Sequence, residues 1–217
     1  MLDLPSFLDQ LGKTRPVFHS EADFQHALAW SIQTDRPMAR VRLETRPERG
    51  IHLDLLVEDG GRRCAIELKY ATRKLDLVVD GERFDLPSRG AHDITRYDFC
   101  KDVWRVEKMM RDGYADSGWA VLLTDDGGYW RPGTKADPID RAFRLYEGRT
   151  VTGDLAWDDR AGARRQRRDR LSLTVTPLAW SDSLSPDGRG ANTRSRRSAA
   201  DRSPWLPSQH VHKSRTC

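Results

Sequence analysis

Apolar and polar positions alternate in ways that divide the chain into short elements. Leu2 to Leu11 is an amphipathic stretch that stops at Gly12. Ser20-Glu21-Ala22-Asp23 then opens a helix. Ser20 suits the N-cap, Asp23 stands where a capping-box acid belongs, and Glu21 suits the positive end of the helix dipole. Phe24, Ala27, Leu28 and Ile32 recur at helical spacing and predict its buried face. Val41 to Glu44 alternates weakly and predicts a first strand, ended by Arg46-Pro47-Glu48-Arg49-Gly50. The apolar runs Ile51–Val57 and Cys64–Tyr70 flank Glu58-Asp59-Gly60-Gly61 and predict a hairpin. Leu75–Val79 and Glu82–Leu86 around Asp80-Gly81 predict a second hairpin, either an extension of the sheet or a flap over substrate.

His92 to Tyr114 carries the longest helical pattern, with Ile94, Tyr97, Val103, Val106 and Met110 in its apolar stripe and Gly113 ending the regular run. Its charged set, which includes Asp98, Asp102 and Arg105, reads as a solvated face laced by ion pairs. Trp119–Thr124 is the continuous apolar run of a buried strand reached by a parallel crossover. Asp125–Pro138 predicts a loop, Ile139–Tyr146 a short helix, and Leu171–Val175 an edge strand, with Trp180 closing the core. Beyond Ser181 the composition turns to Ser, Arg, Pro and Gly, which bury too little apolar surface to order a chain. The division expected is therefore one domain over residues 1–180 and a disordered basic tail over 181–217.

The central hairpin carries charge where buried strands should not. Asp54 interrupts the first run, and Glu67 and Lys69 interrupt the second. Side chains alternate along a strand, so Glu67 and Lys69 share one face while Ile66 and Leu68 take the other. Pairing of the two strands can place Asp54 beside Glu67. Two neighbouring carboxylates raise each other's pKa unless a cation sits between them, and an all-oxygen set suits Mg²⁺ or Mn²⁺. Lys69 can then orient or deprotonate a water, or neutralise charge developing on a phosphate. The plain alternative is a hairpin in which Asp54 pairs with Lys69 and Glu67 faces solvent.

The pattern of Asp54, a turn, and Glu67-Leu68-Lys69 resembles the core of the PD-(D/E)XK nuclease superfamily, over roughly Phe18 to Asp126. Leu68 fills the variable apolar position, while Leu53 stands where the proline of the family name would be. The resemblance implies a restriction-endonuclease-like α/β fold, a mixed sheet flanked by helices. It implies that Asp54 and Glu67 ligate Mg²⁺ or Mn²⁺ and that Lys69 assists the hydrolytic water. Glu21 matches the helix acid that often joins the metal, and Arg96 and Lys101 match the residues that the later helix brings toward substrate. The expected function is a metal-dependent phosphodiester hydrolase acting on nucleic acid, DNA first. The alternative is a catalytically silent domain of the same fold that serves as a nucleic-acid or protein interaction module. Members of this fold are often dimers, although no stretch here marks a homodimer interface.

Composition sharpens this picture at three points. Residues 1–159 carry 24 Lys and Arg against 29 Asp and Glu, a net of −5, and residues 160–217 carry 13 against 4, a net of +9, which together give the chain's +4. The basic character thus sits at the end, where it can add sequence-independent attraction to phosphate backbones or equally be solvated disorder with no partner. Cys64, Cys100 and Cys217 are odd in number and form no C-x-x-C pair, so a cytoplasmic home is expected rather than a disulfide scaffold. No stretch has the pattern of a membrane span, a signal peptide, a dinucleotide-binding G-x-G-x-x-G or a phosphate-binding G-K-[ST].

Overall fold

The computed structural model describes residues 2–48, 51–88, 91–166, 171–177, 179–184 and 209–216. Two helices come first, α1 (Leu4–Thr14) and α2 (Glu21–Asp35). Ser20 Oγ accepts the Asp23 N–H at 3.1 Å, which is the expected cap of α2. Three strands follow, β1 (Arg40–Thr45), β2 (Leu53–Asp59) and β3 (Arg62–Ala71). Gly60 and Gly61 form the turn between β2 and β3 with φ of 57° and 76°, the left-handed conformation that a two-residue hairpin demands. A second hairpin, β4 (Leu75–Val79) and β5 (Glu82–Leu86), precedes the long helix α3 (His92–Arg111) and the strand β6 (Ser117–Thr124). The remaining strands are β7 (Thr150–Leu155), β8 (Leu171–Pro177), β9 (Ala179–Leu184) and β10 (Gln209–Thr216).

The fold is a mixed α/β arrangement. Strands β1, β2 and β3 form an antiparallel meander, β6 joins β3 in parallel, and β10 and then β9 continue the sheet beyond β6. A parallel neighbour requires a crossover, and the β4–β5 hairpin with α3 supplies it. Helices α1 and α2 cover one face of the sheet, where Leu4, Phe24, Leu28 and Ile32 pack with Leu55, Ile66, Leu68 and Val121. Helix α3 covers the other face, where Tyr97, Phe99 and Val103 meet Ala71, Ala120 and Leu122. A Cβ at Gly118 would lie 2.2 Å from Val106 Cγ1, so only glycine lets α3 sit this close to β6.

Four sequence expectations change. The β4–β5 hairpin does not extend the sheet; it is a separate two-stranded ribbon whose Phe84 and Leu86 are buried in the first core. The short helix at 139–146 is a single 3-10 turn, Arg141–Phe143. Strand β7 was not foreseen, and it gives β8 a partner, so β8 belongs to a separate two-stranded sheet. The tail beyond 181 contains two strand segments: β9 crosses the expected boundary, and β10 pairs with β6 from His210 opposite Thr124 to Thr216 opposite Gly118. Backbone pairing along the open edge of β6 asks for no apolar composition, which is why composition missed it. Residues 167–170 of the Arg-rich stretch and 185–208 of the tail lie outside the described residues. Trp180 does pack against the second core, and its indole N–H donates to the Leu145 carbonyl at 2.6 Å.

Candidate functional site

The site forms where pairing between β2 and β3 runs out. The ladder runs from Asp59 opposite Arg62 to Leu55 opposite Ile66, and one further step sets Asp54 opposite Glu67. Past that point β3 continues without β2 beside it, and carboxylates take up its free N–H groups. Asp54 Oδ2 accepts from Leu68 N at 2.6 Å, and Glu21 Oε2 accepts from Tyr70 N at 2.8 Å. Glu21 reaches this spot because it opens α2. One turn on, Gln25 Nε2 donates both to the Asp54 carbonyl and to Glu44 Oε1, each at 2.8 Å. Glu44 stands between Leu43 and Thr45, which pair with Leu55 and Leu53, and its φ of 51° is unusual for a residue with a side chain. Glu21, Gln25, Glu44 and Asp54 line a cleft of about 290 Å³ that gives access to the Asp54 carboxylate.

On the α3 side of the sheet, Glu67 is 3% exposed and Asp102 of α3 also 3% exposed. Asp102 sits between two cations, with Lys69 Nζ at 3.3 Å and Arg105 Nη1 at 3.0 Å. Arg105 Nη1 lies 3.9 Å from Glu67 Oε1, and Lys69 Nζ lies 4.0 Å from Glu21 Oε1. Glu67 Oε1 is buried and accepts no hydrogen bond. Four carboxylates (Glu21, Asp54, Glu67 and Asp102) thus face two cations, and full ionisation would leave two negative charges in excess.

The electrostatics follow from that excess. Burial pushes the Glu67 carboxyl well above its usual range, and the charges of Asp102 and Asp54 push it further; Asp54 is close enough to share a proton with it. Asp54 is pushed up by burial, against the pull of the Leu68 N–H and with help from Glu21. Asp102 is raised to about 6 by burial, although Lys69 and Arg105 oppose the change. Burial alone would lower Lys69, but Asp102, Glu21 and Asp54 outweigh it and hold the ammonium above its ordinary value. Lys69 is therefore a fixed positive charge near neutral pH and is unsuited to deprotonating water.

The structure brings together Glu21, Asp54, Glu67 and Lys69. The plain alternative of a solvent-facing Glu67 and an Asp54–Lys69 pair does not hold: Glu67 is buried, and the ion pairs of Lys69 run to Asp102 and Glu21. Arg96 is not beside this cluster. It lies six residues before Asp102, which turns it to another side of α3, and its buried guanidinium pairs with Asp140 and donates to the Gly128 carbonyl at 2.6 Å. Lys101 is half-buried on α3, and the cation that this helix sends toward Glu67 is Arg105.

Asp102, Arg105, Gln25 and Glu44 were missed as site residues. Asp102 carried a readable signal, since Phe99, Asp102, Val106 and Met109 follow one another at helical spacing and place an acid in the buried stripe. Oxygen-only donors, an unpartnered buried carboxylate oxygen and surplus negative charge fit a hard divalent ion held by Asp54 and Glu67. Among the described residues, no three His, Cys, Asp or Glu side chains are grouped to hold an ion, so the two carboxylates would leave the remaining positions to waters and substrate oxygens. No described helix is long and apolar enough to cross a membrane. No family model, curated protein or solved structure matches the chain.

Proposed function

We propose that this chain is a metal-dependent phosphodiester hydrolase of the restriction-endonuclease-like type, acting on nucleic acid in the cytoplasm. One observation carries the reading: Glu67 Oε1 is buried without a hydrogen bond while Asp54 and Asp102 crowd it with further negative charge. A fold keeps such an arrangement at a cost to stability, and strained titratable clusters of this kind concentrate at functional sites. The order α2, β1, β2, β3, α3, β6, with the β4–β5 hairpin inserted before α3, supports the same reading, because without that insertion it resembles the element order of that superfamily's core.

In this reading Asp54 and Glu67 hold Mg²⁺ or Mn²⁺, which when bound supplies Lewis acidity and an acidified water. Glu21 and Asp54 fix the backbone of β3 through Tyr70 and Leu68, and so set where Glu67 and Lys69 stand. Lys69 offers its charge to a phosphate oxygen, and Asp102 holds the ammonium in position. Gln25 and Glu44 shape the entrance. A second reading, a catalytically silent domain that binds nucleic acid or protein, draws on the ion pairs that Lys69 and Arg105 make with Asp102 at 3.3 and 3.0 Å, which give a self-contained ion cluster.

Cleavage of plasmid and labelled oligonucleotides with Mg²⁺ or Mn²⁺ separates the two. Hydrolysis by wild type that falls by about 10²–10³-fold in Lys69→Ala supports the enzyme. Metal-independent binding with no cleavage of any nucleic acid supports the silent domain.

A further inference from the structure

A second feature lies just past the C-terminal end of β3, beyond Lys69. Arg73, His92, Arg131 and Lys135 line a groove of about 580 Å³ at the C-terminal ends of the parallel strands β3 and β6, where open α/β sheets present their ligand crevice. Arg96 and Arg144 stand behind them, so five Arg and Lys side chains line the groove against one carboxylate, Asp126. Three of the cations already have carboxylate partners, two carboxylates between them. Arg73 pairs with Asp125, whose carboxylate also accepts the Arg73 N–H at 2.9 Å, and Asp140 pairs with both Arg96 and Arg144. Asp126 is also taken, by His92 at 2.8 Å and by the Gly128 N–H at 2.8 Å. Arg131 and Lys135 are exposed and form no ion pair among the described residues.

Two further observations point to an anion. The groove floor is backbone held open by glycine: a Cβ at Gly133 would lie 2.5 Å from Arg144 Nη1, and one at Gly128 would lie 2.9 Å from His92 Nε2. Helix α3 begins at His92 on the groove wall, and its N-cap, Ala91, offers no side-chain hydrogen bond. The positive end of a 20-residue helix therefore stands on the groove wall, where Asp93 Oδ1 accepts the Ile94 N–H at 3.0 Å. All of this sits on a region, residues 1–159, whose net charge is −5. A basic groove on an acidic body focuses the field and selects an anion that can thread it.

We propose that the groove formed by Arg73, His92, Arg131 and Lys135 binds phosphate groups of a nucleic-acid strand whose continuation reaches the Asp54–Glu67–Lys69 cluster. Lys69 and Arg73 are four residues apart on one extended segment, at most about 14 Å, or about four steps along one strand of duplex DNA. Arg131 and Lys135 take the phosphates directly, and Arg73 and the α3 N-terminus set the path between them and Lys69. The proposal rests on the nucleic-acid reading of that cluster but not on catalysis.

The test is fluorescence anisotropy of a labelled DNA duplex with the full chain in EDTA, across a salt series. It compares wild type, Arg131→Ala/Lys135→Ala, and a charge-matched control, Arg40→Ala/Arg83→Ala, whose side chains are exposed elsewhere. Melting curves for all three confirm the fold. The expected result is weaker binding by the groove variant and a log K against log salt slope shallower by about 1.8, the loss of two phosphate contacts, with the control unchanged. Inorganic phosphate is titrated as competitor, and displacement of the duplex only at high millimolar concentration is expected. Equal affinities and slopes for wild type and the groove variant would overturn the proposal, as would equal weakening by the control or absence of binding by wild type. Competition by phosphate at micromolar concentration would also overturn it, by assigning the groove to a small anion. Because no metal is present, failure here is distinct from failure to cleave.

Discussion

Replacing Glu67 by glutamine should make the metal-free protein more stable. The carboxylate is 3% exposed, its Oε1 accepts no hydrogen bond, and Asp54 and Asp102 add like charge beside it. An amide of the same shape removes that repulsion, and its NH₂ gains two carboxylate acceptors. The scale of the frustration is that of a buried polar atom left without a partner. Such an atom costs roughly 1–3 kcal/mol. Relieving part of it in Glu67→Gln should yield about 2 kcal/mol, or roughly 4–8 °C in Tm for a domain of this size.

The sign of the pH dependence follows from the same groups. Glu67 and Asp102 are raised in the folded state, so between the ordinary and the folded pKa the folded protein holds protons that the unfolded chain has released. The stability contributed by these two groups is then greatest at low pH and falls as pH rises, for Asp102 from about 4 through about 6. Glu67→Gln should flatten that decline. The assay is thermal melting of wild type and variant in EDTA between pH 4.5 and 8. A Glu67→Gln protein that melts lower than wild type at pH 7.5 would refute the reasoning, by showing that the carboxylate is held by Arg105 as a favourable pair.

Other perturbations test other parts of the structure. Mn²⁺ at millimolar concentration should raise the Tm of wild type and leave that of Asp54→Asn unchanged, because an ion that binds only the folded state stabilises it. Gly118→Ala should lower stability by about 1–3 kcal/mol, read in denaturant melts, since its Cβ would meet Val106 Cγ1 at 2.2 Å and drive α3 from the sheet. Arg96→Ala should cost about 1–3 kcal/mol by removing the bonds to Asp140 and the Gly128 carbonyl while Arg144 still compensates Asp140, and a melt near that of wild type would show that Arg96 does not hold the 125–145 loop. Lys69→Ala should also lose stability as well as activity, because Asp102 would keep only Arg105; Lys69→Arg, which retains the charge, should restore the Tm.

Local signals in the sequence located most of the first 124 residues. Ser20 capped α2 as its hydroxyl suggested, the two-residue turns at Gly60-Gly61 and Asp80-Gly81 set both hairpins, and the unbroken run at 119–124 was a buried strand. Alternation placed Glu67 and Lys69 on one face, and the register set Asp54 beside them. The pattern could not show which partners those charges would choose. Asp102 comes from a helix more than 30 residues later, and its role depends on how closely Gly118 lets that helix approach. Arg96 was expected at the site only through the resemblance, and its place six residues before Asp102 carries it to Asp140 instead. Strands β7, β9 and β10 are held by pairing with distant segments, and their own composition has little to say about that.

The central claim is that Asp54 and Glu67 hold a divalent ion for phosphodiester hydrolysis. Its most direct test is single-turnover cleavage of a 5′-labelled DNA in Mn²⁺ by wild type and by Asp54→Asn, with both proteins shown folded by their melts. Cutting by wild type should depend on the ion and drop by at least about 10²-fold in the variant. Equal cutting by both proteins, or none by wild type at any divalent ion concentration, would contradict it.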